Sequence, residues 1–185
     1  MNISGWNYDF SSLPHWEVGE ADDYAQNKLY ESADGRFCYF LYAVKEVRPS
    51  DFRGFAAIFK NKENPQLVFS GKCACFPNEA PFLSDSQPIL AFLASFYSDD
   101  TNCNIDVTVI ADIEKHRYAF APLYQSESRC LYPIEEKKGK ILLLNRDSSK
   151  RNITKLTYRP LDTLGSVLKV EIKMNMFGNI QILPV

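Results

Sequence analysis

Histidine is almost absent: His15 and His116 are the only two in 185 residues. Side chains that titrate near neutral pH are therefore scarce, and general acid–base chemistry has little to draw on. Nucleotide, metal and nucleophile signatures are missing as well. There is no Gly-rich phosphate loop, no His-Glu-x-x-His, no paired histidine spacing and no Gly-x-Ser-x-Gly elbow. No catalytic residue is assigned on these grounds, no metal or other cofactor is expected, and the chain is read as a binding protein rather than an enzyme. His15 stands beside Trp16 and reads as structural, while His116 reads as an exposed turn residue.

Cysteine is sparse and unpaired in pattern. Five residues (Cys38, Cys73, Cys75, Cys103, Cys130) are an odd number without regular spacing, which is a poor disulfide framework and points to reduced thiols. Cys73-Ala-Cys75 places two sulfurs on one face of a strand, whereas zinc and redox motifs generally use two intervening residues. No apolar run approaches the roughly 20 residues that span a bilayer, and the start lacks the basic and apolar regions of a signal peptide. The expectation is a cytoplasmic protein with no membrane partner.

Aromatic residues, by contrast, are plentiful at 14%, with 13 Phe and 10 Tyr, and flat rings favour a pleated surface. The run from Phe37 to Val47 is long, aromatic and free of Pro and Gly, and follows the turn signal Ala33-Asp34-Gly35. It predicts a strand, followed by strands at Gly54 to Lys60 and Gln66 to Phe69 with Asn61-Lys-Glu-Asn64-Pro65 as the turn between them. A second unit follows at a shift of 52 residues, in which Phe37 maps to Ile89, Phe40 to Phe92, Ala57 to Val109 and Ile58 to Ile110. Its strands are predicted at Ile89 to Tyr97, Ile105 to Ala111 and Arg117 to Ala121, with the last turn at Asp112 to Lys115. A third echo begins at Ile141 to Leu144. In the tail, Val167 to Ile172 and Ile180 to Leu183 read as a hairpin about Asn175 to Asn179. One helical turn fits Asp162 to Leu168, a helix or charged loop fits Glu20 to Leu29, and Asn145 to Asn152 reads as an exposed loop.

These segments predict a single domain over residues 1–185, mainly β. Successive antiparallel meanders would form a curved sheet, a sandwich or a small incomplete propeller, with one or two short helices.

Charge is unevenly distributed. Residues 1–136 carry 20 acidic against 11 basic side chains, and residues 137–185 carry 10 basic against 3 acidic, so a formal net charge of −2 conceals a strong polarity along the chain. Glu17, Glu20, Asp22 and Asp23 cluster among Trp6, Tyr8, Phe10, Trp16 and Tyr24, the composition of a surface that binds a basic protein. Asp99, Asp100, Asp112 and Glu114 fall in predicted loops of the second unit, where exposure is expected. These eight acids are the candidate partner-binding residues. The basic stretch from Lys137 to Arg159 has a single ring, Tyr158, so the aromatic interleaving of single-strand binders is missing and nucleic acid is not the expected partner. Two other classes compete with protein binding. One is a small hydrolase whose site is assembled from scattered carboxylates with His116 or His15, and the other an accessory subunit that pairs through a sheet edge.

From Ser32-Ala-Asp-Gly-Arg-Phe-Cys-Tyr-Phe40 and through Gly54 to Phe69, the chain resembles the small cytosolic immunity proteins of bacterial toxin and immunity systems. The opening Ser-x-Asp-Gly also resembles the blade entry of propeller-type repeats. The resemblance implies a protein that binds one cognate toxin, often a nuclease with a basic active-site cleft, and blocks it stoichiometrically. It assigns no individual residue a role.

Overall fold

The computed structural model describes residues 2–14, 28–48, 51–74, 81–84, 87–121, 123–124, 132–137, 140–144, 150–153, 156–174 and 179–185. Its strands, in chain order, are β1 (Asn2–Ile3), β2 (Trp6–Asn7), β3 (Lys28–Glu31), β4 (Phe37–Arg48), β5 (Asp51–Lys60), β6 (Gln66–Ala74), β7 (Phe82–Leu83), β8 (Ile89–Ser98) and β9 (Cys103–Asp112). They continue with β10 (Arg117–Phe120), β11 (Leu123–Tyr124), β12 (Tyr132–Lys137), β13 (Lys140–Leu144), β14 (Lys150–Ile153), β15 (Arg159–Pro160), β16 (Val170–Met174) and β17 (Asn179–Pro184). Helical structure among the described residues is confined to two 3-10 segments, Phe10–Ser12 and Leu161–Ser166. The protein is mainly β, as the sequence predicts.

The two meanders join in one nine-stranded antiparallel sheet, ordered β15-β10-β9-β8-β6-β5-β4-β3 with β7 added beside β8. They meet where β6 pairs with β8 at Ala74 and Ser95. Three smaller sheets accompany it: β1-β2, β11-β17-β16 and β12-β13-β14.

Why the predicted runs are continuous rather than alternating is visible in the packing. On β4, Phe37, Tyr39 and Leu41 enter the central core while Cys38, Phe40 and Tyr42 enter a second cluster on the opposite face. Both faces are covered, so neither can be polar. The second face of β4 and β5 is covered by the N-terminal segment, whose Trp6, Phe10 and Leu13 pack against Phe40, Ala57 and Phe59. The central core is closed by the 3-10 segment through Leu161 and Leu164 and by Val170 and Ile182 of the C-terminal hairpin. Close approach of that segment depends on glycine: a Cβ at Gly71 on β6 would lie 2.9 Å from the Gly165 Cα and 2.7 Å from the Phe69 ring.

The 52-residue shift survives in pairing and fails in facing. Phe37 pairs with Lys60 and, 52 positions on, Ile89 pairs with Asp112. Yet Phe37, Tyr39 and Ile58 lie in the central core, whereas Ile89, Ala91 and Ile110 lie on the other face. The second meander is turned over relative to the first, because one step of pleat parity exchanges the faces of a strand.

Two local expectations are corrected. Lys28 and Leu29, assigned to a helix or loop, lie on edge strand β3, whose register with β4 places Leu29 opposite Phe40. Residues 20–27 lie outside the described residues. Lys150, Arg151 and Asn152, read as exposed loop, form β14 against Leu142 to Leu144, since backbone pairing to an apolar strand overrides polar composition. Trp6 and Phe10, which stand near the acidic cluster in sequence, are fully buried against the sheet and present no outward aromatic surface.

Candidate functional site

Antiparallel register brings the turns β3–β4 and β5–β6 to one end of the first meander, and the turn β9–β10 to one end of the second, beside the approach to β8 at Pro88. Between them lies an open cleft of about 700 Å³. The β3–β4 turn is built by its own side chains. The Ser32 hydroxyl donates to Asp34 Oδ1 at 2.9 Å and accepts from the Phe37 N–H at 3.2 Å, and the Arg36 N–H donates to Asp34 at 3.1 Å. Gly35 follows at φ +68°, a conformation that costs glycine little. The Arg36 N–H, the Ser32 hydroxyl and the Arg36 guanidinium hold the Asp34 carboxyl below the ordinary aspartate range. Arg36 and Asp34 also form an ion pair.

The β5–β6 turn is anchored to the first by backbone, with the Asn61 N–H donating to the Arg36 carbonyl at 2.7 Å. Lys62 then reaches to Glu31, its ammonium 2.7 and 3.0 Å from the two carboxylate oxygens. The β9–β10 turn is tied to the rest by the Ile113 N–H, which donates to the Pro88 carbonyl at 2.9 Å. Phe37, Pro88 and Ile113 provide the apolar lining of the cleft, and Lys60, Glu63 and Glu114 stand around it. Asp34 neutralises Arg36 and Glu31 neutralises Lys62, so Lys60, Glu63 and Glu114 carry the charges that form no ion pair among the described residues. Glu63 and Glu114 are exposed and Lys60 is half-buried.

The eight predicted acids divide sharply. Glu17, Glu20, Asp22 and Asp23 lie outside the described residues, as do His15, Trp16 and Tyr24. Glu114 is exposed in its turn, as expected. Asp112 is a correction: it is buried, with 5% of its surface accessible. It is the last residue of β9 and faces inward across the turn, accepting from the Lys115 N–H and from Arg117 Nε, each at 3.1 Å. Its charge is spent on closing the hairpin, so it is not part of an outward surface.

Asp99 and Asp100 are exposed but lie at the far end of the β8–β9 hairpin, about 30 Å from Asp112 along ten strand residues. Both are engaged with the C-terminal region. Asp99 pairs with Lys169 at 2.8 Å, and Asp100 Oδ2 accepts from the Ile172 N–H on the edge of β16, also at 2.8 Å. The hydrogen bond to Asp99 and its charge raise the Lys169 ammonium above the ordinary lysine range. Acid of the first two thirds therefore meets base of the last fifty residues at this point, and the carboxylates there are partly cancelled from within.

Sequence reasoning missed Glu63 and the cleft itself. The signal was present: position 62 lies 52 before 114, so the turn containing Glu63 is the counterpart of the turn containing Glu114 in the shift that the apolar residues define. Within the described residues, no three His, Cys, Asp or Glu side chains gather into a metal-binding group. His116 stands exposed in the β9–β10 turn at φ +49°, with its carbonyl accepting from the Leu161 N–H at 2.9 Å. No helix of the described residues is long and apolar enough to cross a membrane. The arrangement suits docking: fixed turns, an apolar floor and carboxylates free to pair. No family model, curated protein or solved structure matches the chain.

Proposed function

We propose that the protein acts by binding another protein, as an immunity protein that occludes the basic active cleft of a cognate bacterial toxin in the cytoplasm. The observation that carries this reading is the pair of exposed carboxylates Glu63 and Glu114, which form no ion pair among the described residues and stand on separate turns around one cleft. Carboxylates in this setting attract a basic partner over a distance and select it by charge, while the apolar cleft between them supplies contact area. The polarity of charge along the chain supports the same reading, as does the resemblance of residues 32–69 to immunity proteins. The acids Glu17, Glu20, Asp22 and Asp23 add to the negative charge of the first 136 residues.

The test is binding to the product of the neighbouring gene, coexpressed and purified. A one-to-one complex that abolishes the toxin's activity is expected, and in the double variant Glu63→Lys with Glu114→Lys the association rate at low salt should fall roughly tenfold or more. An unchanged association rate in that variant would sink the acidic-surface reading. Substrate turnover by the purified protein alone would place it among the enzymes instead.

A further inference from the structure

We propose that the cleft is an anchor site for one apolar side chain carried on a cationic segment of the partner, with Glu63 and Glu114 pairing to the lysines or arginines that flank it. This rests on the docking reading above and adds the chemistry of the bound segment. Two features argue for it together.

First, the cleft is of the size that recognises a compact group, about 700 Å³ against the roughly 300–1,000 Å³ common for such sites. Its apolar lining is Phe37, Pro88 and Ile113, with part of Pro88 open to solvent and Phe37 and Ile113 enclosed beneath the surface. Backbone bonds fix the surrounding connections in two pairs, Asn61 to Arg36 on one side and Ile113 to Pro88 on the other, and the two sides meet in the central core, to which Phe37 and Ile113 both belong. The floor is thus formed before a partner arrives, and an entering side chain loses its water without the site having to reorganise.

Second, the charge around that floor has been sorted by pairing. Arg36 and Lys62, the two bases nearest the β3–β4 turn, are held by Asp34 and Glu31. Among the described residues, two carboxylates without an ion pair then stand with one such ammonium, Lys60, so the remaining charge favours a cation. An acidic segment would meet Glu63 and Glu114 with Lys60 alone to answer it. An apolar centre with positive flanks fits both the floor and the rim, and buried anchors ringed by polar contacts are how interfaces concentrate affinity.

Nuclear magnetic resonance titration of the full chain with three capped pentapeptides tests this. Lys-Lys-Phe-Lys-Lys should give saturable amide shifts at Gly35, Phe37 and Ile113 and bind roughly tenfold or more tightly than Lys-Lys-Ser-Lys-Lys, the gain expected from burying one ring. Glu-Glu-Phe-Glu-Glu should not bind, and the Glu63→Lys, Glu114→Lys double variant should lose the first peptide. Equal binding of the Phe and Ser peptides would overturn the anchor while leaving the acidic docking surface standing. Failure of both cationic peptides to bind would overturn both, and preference for the acidic peptide would reverse the assigned charge.

Discussion

Two acids two positions apart in one hairpin have opposite fates. Asp112 ends its strand facing the turn that follows, where the Lys115 N–H and Arg117 Nε meet its carboxylate, while Glu114 projects from the turn into solvent. A buried acceptor of charge-assisted hydrogen bonds is expensive to remove, so Asp112→Ala should destabilise the protein by about 1–3 kcal/mol. Glu114→Ala should change stability by no more than about 0.5 kcal/mol. Urea denaturation of the two variants checks the contrast, and equal effects would mean that the Asp112 pairing contributes nothing. The cysteines divide in the same way. Cys38 is fully enclosed between β4 and the N-terminal segment, where burial first and the Glu31 charge second push its thiol well above the ordinary range, whereas Cys103 is exposed. Thiolate is the reactive form, so iodoacetamide at pH 8 should label Cys103 in the native protein and reach Cys38 only when the chain opens. A raised pKa means that the folded state holds this proton more tightly. Its contribution to stability is whole below the unfolded thiol's pKa and is lost as pH rises through the folded one. Peptide mass mapping with and without denaturant reads the difference directly.

Elements follow composition where both faces are apolar and escape it where backbone decides. β4, β5, β8 and β9 were legible because their residues fill a core on each side, which writes long unbroken apolar runs into the sequence. β3 and β14 were not, since an edge strand needs only a partner's backbone and its side chains can remain polar. Turn chemistry located Glu114 correctly, but no turn rule says whether an acid at the last strand position points in or out, and Asp112 was misplaced for that reason. The edge of β16 illustrates how an element is finished by side chains. Asp100 accepts from its Ile172 N–H and Lys169 clasps Asp99, so the middle of this edge is capped by a side chain. Because Lys169 is held above the ordinary lysine range, its own share of the clasp is whole, on the alkaline side, up to the unfolded lysine's pKa and fades as pH rises through the raised value; it is unchanged across neutral pH. Glycine decides the remaining element contact. Alanine at Gly71 would drive a Cβ to 2.9 Å from the Gly165 backbone, whereas a Cβ at Gly165 meets the Gly71 Cα at 3.6 Å, an ordinary contact. Gly71→Ala should therefore destabilise by about 1–3 kcal/mol through overpacking, and Gly165→Ala by clearly less. Equal midpoints in urea for the two variants would contradict that geometry.

At the scale of the whole molecule, the question is whether two meanders joined at a narrow seam behave as one. Backbone pairing between β6 and β8 is limited, among the described residues, to Ala74 and Ser95. Side chains make up for it. Tyr39 of the first meander packs on Phe92 of the second with ring centroids 5.0 Å apart, and the central core runs without a break from Phe37 and Ile58 to Phe96 and Val109. The Leu161–Ser166 segment and the C-terminal hairpin lie over both through Leu164, Val170 and Ile182. Burial of this kind couples units more strongly than one strand pair does, because the apolar area belongs to both sides. Phe92→Ala should consequently cost about 3–5 kcal/mol and lower amide exchange protection in β4 and β5 by the same free energy as in β8 and β9. Protection that falls in β8 and β9 alone would show two independent units sharing a chain. Shared loss carries a consequence for the cleft, whose lining takes Phe37 from one meander and Ile113 from the other: its shape is then maintained by the common core, and any variant that weakens the Tyr39–Phe92 contact should also loosen the cleft.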